Sequence, residues 1–335
     1  MTKQIALVLG ATGGIGGTIA HTLAARGWHI RALVRDTKKV RAAAGDDFEW
    51  IKGDAMNAAD VKAAAEGAAL VVHAVNPPGY RDWEKLVLPM LDNTITAARR
   101  AGASILLPGT IYNFGPDAFP LLREDSPQHP QTKKGRIRVE MERRLQAASR
   151  DGTGVIIVRA GDFFGPGAAS SWFSQAMVTP GKPVAVVANP AREGVGHQWA
   201  YLPDVAETMV RLVERRERLP AFAVYHMDGF WDADGGQMAE AIRRVVGGPI
   251  KLRRFPWFVV PLAAPFVTFM RELKEMRYLW REPIRMSNDR LVAELGSEPR
   301  TPIDEAVRAS LSSLGCLPAV TPRGASPALR PGVSL

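Results

Sequence analysis

Three features of the 335-residue sequence predict an α/β protein: a doubly wound, Rossmann-type parallel sheet with a smaller C-terminal substrate lobe. Short apolar runs alternate with amphipathic stretches over about 150 residues, the pattern of parallel strands joined by right-handed crossover helices. A glycine-rich turn, Gly10-Ala11-Thr12-Gly13-Gly14-Ile15-Gly16, follows the first apolar run. After residue 160 the alternation stops, and Gly, Pro and Trp become frequent. The expected division is a dinucleotide-binding domain over 1–160 and a mixed α/β lobe over 161–317, with part of 184–228 returning to the sheet. A flexible, proline-containing tail is expected over 318–335.

Ile5 to Leu9 is uniformly apolar, as a strand covered on both faces must be. Ile15, Ile19 and Leu23 recur every four residues, a helix stripe that Gly27 terminates. Further strands are expected at Trp28–Val34, Phe48–Lys52, Leu70–Val75, Ser104–Leu107 and Val155–Val158. Helices are expected at Trp83–Arg100 and Gly135–Ser149, the second turning Ile137, Met141, Leu145 and Ala148 inward. In the lobe, helices Pro203–Arg216 and Gly235–Val246 mix with strands Val184–Ala188 and Val224–Met227. The stretch Phe255 to Met270, broken by Pro256, Pro261 and Pro265, is shorter than the ~20 residues of a membrane span. It reads as buried core or pocket wall, with interfacial membrane attachment as the alternative. Thr301-Pro302-Ile303-Asp304-Glu305 opens a last helix, with threonine as cap, proline in the first turn and acids at the positive dipole end. Gly315 closes that helix.

Composition removes several function classes. With 46% hydrophobic and 23% charged residues, the chain is an ordinary globular protein. The single cysteine, Cys316, excludes a disulfide framework and a multi-thiolate metal site. The six histidines (His21, His29, His73, His129, His197 and His226) form no HxxxH or HExxH pair, so no metal is expected. The formal charge of +9 comes from dispersed basic residues without a nucleic-acid motif, so nucleic acid is not an expected partner. The N-terminal apolar run is too short for a secretory signal. The expectation is a cytoplasmic monomer or homodimer, without a membrane span, that acts on a small molecule.

The glycine turn carries the cofactor chemistry. Gly10, Gly13 and Gly16 allow a tight turn, close approach of backbone to a pyrophosphate and close helix–strand packing. Thr12, Gly14 and Ile15 lie where the helix N-terminus offers free N–H groups to phosphate. Arg35, 19 positions after Gly16, follows the second strand. A carboxylate there would hold the ribose 2′-hydroxyl of NAD, whereas an arginine suits the 2′-phosphate of NADP. NADP is therefore the expected cofactor, with Lys38 and Lys39 adding positive charge. Asp36 would serve NAD if the register slipped by one residue. Ala74 and Val75, ending the fourth strand, complete the expected cofactor site.

Gly10–Gly16, Gly53-Asp54 and the order of later motifs resemble the extended and atypical short-chain dehydrogenase/reductase family, which is NAD-dependent epimerase/dehydratase-like. The resemblance covers roughly residues 3–215, and Thr301–Gly315 is similar to epimerase-like members. It implies that Asp54 contacts the adenine ring. Leu107–Gly115 resembles the family's fifth strand and following loop, with Thr110 at the hydroxyl position and Phe114-Gly115 at a Tyr-Gly pair. The family next has Tyr-x-x-x-Lys on a helix, with a glutamate four residues after the lysine. The tyrosine is the acid/base, and the lysine holds the nicotinamide ribose. Setting Glu140 as that glutamate places Arg136 at the lysine and Thr132 at the tyrosine, all on one helix face. Threonine is no acid near neutral pH. Tyr112 is the nearest phenol, and with a pKa of about 10 it needs a cation, Arg136 or Lys133, to work. A pocket-lining aromatic is the alternative for Tyr112.

Arg159–Pro166 resembles the family's Arg-x-x-Asn…Gly-Pro stretch, with Asp162 in place of an asparagine that helps bind nucleotide-sugars. A carboxylate repels a diphosphate and favours a donor on the substrate. A turn cap, or a pair with Arg159, is the alternative role. His197–Ala206 resembles a late motif ending in Asp-Val-Ala, in which Asp204 would cap its own helix. Asp162, Phe163, Phe164 and Trp199 are the candidate substrate residues. The reading is an NADP(H)-dependent oxidoreductase acting on a small, fairly apolar carbonyl, hydroxyl or enone compound. A catalytically silent NADPH-binding sensor or regulator is the alternative, and Thr132 and Asp162 disfavour a nucleotide-sugar epimerase.

Overall fold

The computed structural model describes residues 3–44, 46–77, 82–265 and 268–317; the expected tail over 318–335 lies outside the described residues. The first half runs β1 (Ile5–Leu9), α1 (Gly14–Ala25), β2 (His29–Val34), α2 (Thr37–Ala44), β3 (Glu49–Lys52) and α3 (Ala58–Ala64). It continues through β4 (Leu70–His73), α4 (Trp83–Ala101), β5 (Ser104–Thr110), the short β6 (Leu121–Leu122) and α5 (Lys133–Arg150). Then come β7 (Val155–Ala160), β8 (Asp162–Phe164), β9 (Val186–Asn189), β10 (His197–Tyr201), α6 (Leu202–Glu214), β11 (Phe222–His226) and β12 (Phe230–Asp232). The chain closes with α7 (Gln237–Val246), β13 (Lys251–Arg254), α8 (Val259–Ala263), α9 (Thr268–Met276), β14 (Arg285–Met286), α10 (Asp289–Leu295) and α11 (Ile303–Ser313).

Seven parallel strands form the central sheet in the order β11-β7-β5-β4-β1-β2-β3. Alternate residues of β1 serve opposite faces, as strand geometry requires. Ala6 and Val8 pack with Ile19 and Leu23 of α1, Met209 of α6 and Leu291 of α10. Leu7 and Leu9 pack with Val61 of α3, Leu91 of α4 and Met141 and Leu145 of α5. The sheet is thus covered on both sides, which is why β1 reads as an unbroken apolar run. Strand order reverses between β1 and β4, and ligands of such sheets bind at that point, beyond the carboxyl ends of the strands. β11 brings residues 222–226 back to the sheet beside β7.

The strands stop and start differently from expectation where the site lies. β4 ends at His73; the Ala74 N–H still donates to the Leu9 carbonyl of β1 at 3.0 Å, and Val75 lies beyond it. β5 runs on to Thr110 along β7, through Pro108. β4 pairs with β5 only as far as Leu106, so the ladder on that side needs no donor at Pro108.

The lobe is built on β10, parallel to β8 and antiparallel to β12, with α7 and α11 packed against it around Trp199, Ile242, Trp280 and Leu311. Two expected caps are corrected here. Thr301 does not cap α11; its N–H (2.8 Å) and hydroxyl (2.7 Å) both donate to Asp204. Asp204 therefore ties the start of α11 to α6 rather than capping its own helix. The expectation of a buried Phe255–Met270 stretch also fails in part. α8 and the turn after it bury Val260 and Ala264, four residues apart, and leave Phe258 (72% exposed) and Leu262 (71%) facing outward.

Candidate active site

A cleft of about 1920 Å3 runs along the carboxyl ends of the strands and into the lobe. Its first end is made of backbone. Gly10 has φ +92°, and a Cβ there would lie 2.5 Å from the Ala74 carbonyl oxygen and 2.8 Å from the Val75 nitrogen. A Cβ on Gly14 would come within 2.7 Å of the Gly167 carbonyl oxygen. Gly16 lies behind the wall and packs on Gly10, so its role is to seat α1. The Gly13 N–H closes the turn onto the Gly10 carbonyl at 2.9 Å, and no side chain caps α1 there. The first-turn N–H groups of Gly14 and Ile15 have no acceptor within the helix and lie at the cleft. Free first-turn N–H groups facing a cleft suit the phosphates of a dinucleotide, so the residues present fit one.

Further along the same wall are Thr12, Arg35, Asp36, Lys39, Asp54, Ala74 and Val75. Asp36 starts α2: its Oδ1 accepts the Lys39 N–H at 3.0 Å and its carbonyl accepts the Val40 N–H at 3.3 Å. Arg35 is exposed and has no hydrogen-bonded partner among the described residues. Asp54 is oriented by its neighbours, donating its N–H to Asp60 (2.9 Å) and accepting the Met56 N–H (2.9 Å).

The second end is made of side chains. Thr110, Tyr112, Asp162 and Phe163 line it, but Thr132, Arg136, Phe164 and Trp199 do not. Thr132 is the N-cap of α5, its hydroxyl accepting the Gly135 N–H at 3.0 Å. Arg136 is exposed and donates to the Gln131 carbonyl. Glu140 faces outward to Arg143 and Arg144, whose hydrogen bonds hold its carboxyl down to about 2. The inner face of α5 is set two residues later, by Lys134, Arg138 and Glu142. Either register leaves α5 without a tyrosine. Phe164 and Trp199 are wholly buried in the lobe core, edge-to-face with each other at 6.2 Å.

Arg138 lines the cleft. Lys134 is buried and bridges the two lobes, its Nζ (3.0 Å) and N–H (3.1 Å) both donating to Glu275 of α9. Burial opposes ionisation of Glu275, and Lys134 outweighs it, so the carboxyl sits below its ordinary range. Glu142 receives Arg159 in a two-pronged buried pair, and Arg159 donates a third time to His226 Nε2 at 2.9 Å. Arginine only donates, so that nitrogen carries a lone pair and His226 is neutral. Burial and the Arg159 charge push its pKa down to about 3. Gln128 links Glu142 to Asn113, which in turn accepts the Thr110 hydroxyl at 3.4 Å. Asp162 does not pair with Arg159; its Oδ2 faces His197 Nε2 at 2.9 Å. His73 lines the cleft at the carboxyl end of β4 and hydrogen-bonds Thr94 at 2.7 Å. Burial and then the Arg138 charge lower its pKa to about 3, so it too is neutral. Arg138, Glu142, His73 and His197 were not singled out by the sequence. Thr132 immediately before a helical run is an N-cap signal, and reading it so would have moved the α5 register inward.

The model of the NAD dependent epimerase/dehydratase family matches residues 6–227. The chain belongs to that family. Its cofactor class is accordingly a nicotinamide dinucleotide. The chain is 29% identical over 186 residues to the uncharacterized protein y4nL of Sinorhizobium fredii, covering 50% of this chain and 52% of that one. It is 31% identical over 177 residues to a 3-diazoavenalumate denitrifying reductase of a Streptomyces species, covering 48% and 57%. The chain thus spans about half the length of the curated relatives it matches. Among solved structures, the UDP-glucuronic acid 4-epimerase of Bacillus cereus in complex with NAD superposes with a TM-score of 0.71 at 14% identity, covering 93% of this chain and 96% of that one. At that identity the likeness is one of fold. Among the described residues no helix is long and apolar enough to cross a membrane, and no group of three or more metal-ligating side chains converges.

Proposed function

We propose that the protein is an NADP(H)-dependent oxidoreductase acting in the cytoplasm on a small, fairly apolar carbonyl, hydroxyl or enone compound. The observation that carries the cofactor choice is the contrast between two neighbours. Asp36 is committed to α2, while the Arg35 guanidinium stands at the cleft wall without a protein partner among the described residues. Arg35 would hold the 2′-phosphate, Asp54 the adenine end, the Gly14 and Ile15 N–H groups the pyrophosphate and Arg138 the nicotinamide ribose. A bound nicotinamide supplies or accepts a hydride. Thr110 and Tyr112 would hold the substrate oxygen, with Thr110 oriented by Asn113. Phe163, Trp172, Phe255, Met270 and Leu273 give the substrate end an apolar wall. The reductase among the relatives supports reduction over epimerisation.

Arg35→Ala should weaken NADPH binding by one to two decades and leave NADH nearly unchanged, from loss of about 1.5–3 kcal/mol of charge-assisted hydrogen bonding. Equal losses for both cofactors, read by titration, would place the 2′-phosphate elsewhere. The missing tyrosine on α5 favours a second reading, an NADPH-binding regulator without turnover. NADPH consumption with any member of a carbonyl and enone panel selects the enzyme; tight binding, no turnover and a specific protein partner select the regulator.

A further inference from the structure

We propose that the proton in this reduction comes from Asp162 held by His197, a buried pair that takes over the role of the phenol missing from α5; the proposal rests on the reductase reading above. The cations expected to activate Tyr112 are elsewhere, since Arg136 is exposed and Lys133 leans outward to Glu84 at 3.5 Å. Asp162 lines the cleft with Thr110 and Tyr112, and its side chain is about nine-tenths buried. One carboxyl oxygen meets His197 Nε2 at 2.9 Å. The other has no protein partner among the described residues.

The proton count follows from the second ring nitrogen. His197 Nδ1 faces the Leu279 carbonyl at 3.1 Å, and a carbonyl only accepts, so Nδ1 carries a hydrogen. Nε2 then has two bonded states: it donates to an ionised Asp162, or it accepts from a protonated one. In both, the pair holds one proton. His197 cannot turn away, because its ring is stacked on Trp280 at 3.6 Å and 7° and is buried. His197 is thus a positioning residue, and Asp162 is the group that meets substrate.

The groups on the surrounding elements do not supply or steal this proton. Asp232 on β12 is committed to the N–H groups of Gln237 and Met238, and Glu275 on α9 to Lys134. Arg277, on the turn after α9, lies over Trp257. Burial, with the charges of Asp162 and Glu275, pushes the Tyr278 phenol up, so it stays protonated. In the reduction the carbonyl carbon gains a hydride from the reduced nicotinamide, and the π electrons move to oxygen. That oxygen takes the proton from Asp162, giving the alcohol and the oxidised dinucleotide. Water returns one proton to the pair.

The test compares wild type with Asp162→Asn, Asp162→Glu and His197→Gln. NADPH affinity should stay within about two-fold in all of them. With an acceptor that wild type consumes, Asp162→Asn should lose at least roughly 100-fold in kcat with little change in KM, and Asp162→Glu should recover part of it. NMR of the apo protein, with labelled His imidazole and Asp carboxyl groups, should find the pair's proton at pH 7, on Nε2 or on Asp162. A neutral imidazole opposite an ionised Asp162 overturns the proposal even if the variants fold poorly. So does an Asp162→Asn enzyme that keeps kcat. If wild type binds NADPH and consumes no acceptor, the reductase reading falls and the donor role with it, whatever the pair's proton count.

Discussion

The two ends of the cleft are made of different materials. At the dinucleotide end the contact surface is main chain: the Gly10 turn, the Gly14 and Ile15 N–H groups and the Gly167 carbonyl opposite. At the substrate end it is side chains delivered by separate elements: Thr110 from β5, Arg138 from α5, Asp162 from β8 and Phe255 and Met270 from the lobe. The first kind of surface cannot vary without collision, because a Cβ at Gly10 or Gly14 meets backbone. The second can exchange one side chain for another while the scaffold stays put. In this chain that end carries Asp162, and α5 contains no tyrosine. What keeps the second end in place is buried polar structure behind it, the run from Thr110 through Asn113, Gln128, Glu142 and Arg159 to His226.

The largest effect is therefore expected from breaking that support. Arg159 is 1% exposed, and Glu142 is its charge partner. Glu142→Gln leaves a buried guanidinium without a counter-charge, a change that costs about 3–5 kcal/mol in comparable pairs. Denaturant unfolding should show a loss of this size, and Asp162→Asn, measured alongside, should lose much less. A Glu142→Gln protein as stable as wild type would mean that the substrate end is held by packing alone.

Damage to the dinucleotide end should be smaller in stability and more selective in function. Gly10→Ala forces a non-glycine residue to φ +92° and sets its methyl against the Ala74 carbonyl. Strain of this kind costs about 1–3 kcal/mol. The turn can relax only by moving away from Ala74 and Val75, which are cofactor wall. Thermal unfolding should fall by a few degrees, while NADPH and NADH affinities fall together. Loss of NADPH affinity alone would show that the turn does not carry the pyrophosphate.

The same difference in material explains what could be read without coordinates. Backbone requirements are written locally, so the Gly10–Gly16 turn, the apolar strand before it and Arg35 after β2 are all legible, and a doubly wound parallel sheet follows from strand–helix alternation. Asp162 was legible as a cleft residue, but its partner was not, since His197 lies 35 residues away on β10 and no spacing rule links them. Phe164 and Trp199 resemble substrate residues in the sequence because aromatic side chains near a site look alike there; the structure gives them to the lobe core. The inward turn of Glu142 depends on Arg159, a partner on another element.

The α5 register supplies the smallest and most discriminating effect. If Thr132 faced the nicotinamide, its removal would change catalysis. In the structure its hydroxyl accepts the Gly135 N–H at the helix start, and it does not line the cleft. Thr132→Ala should therefore destabilise the fold by about 1 kcal/mol, the usual cost of a lost N-cap, and Thr132→Ser or Thr132→Asn should restore most of it. NADPH affinity and kcat should stay at wild-type values in all three. Arg138→Ala, six residues along the same helix, should do the reverse, weakening cofactor binding through the ribose end. A Thr132→Ala enzyme of unchanged stability and impaired turnover would put the inner face of α5 back at Thr132 and Arg136, and would make the substrate end as strictly patterned as the glycine turn.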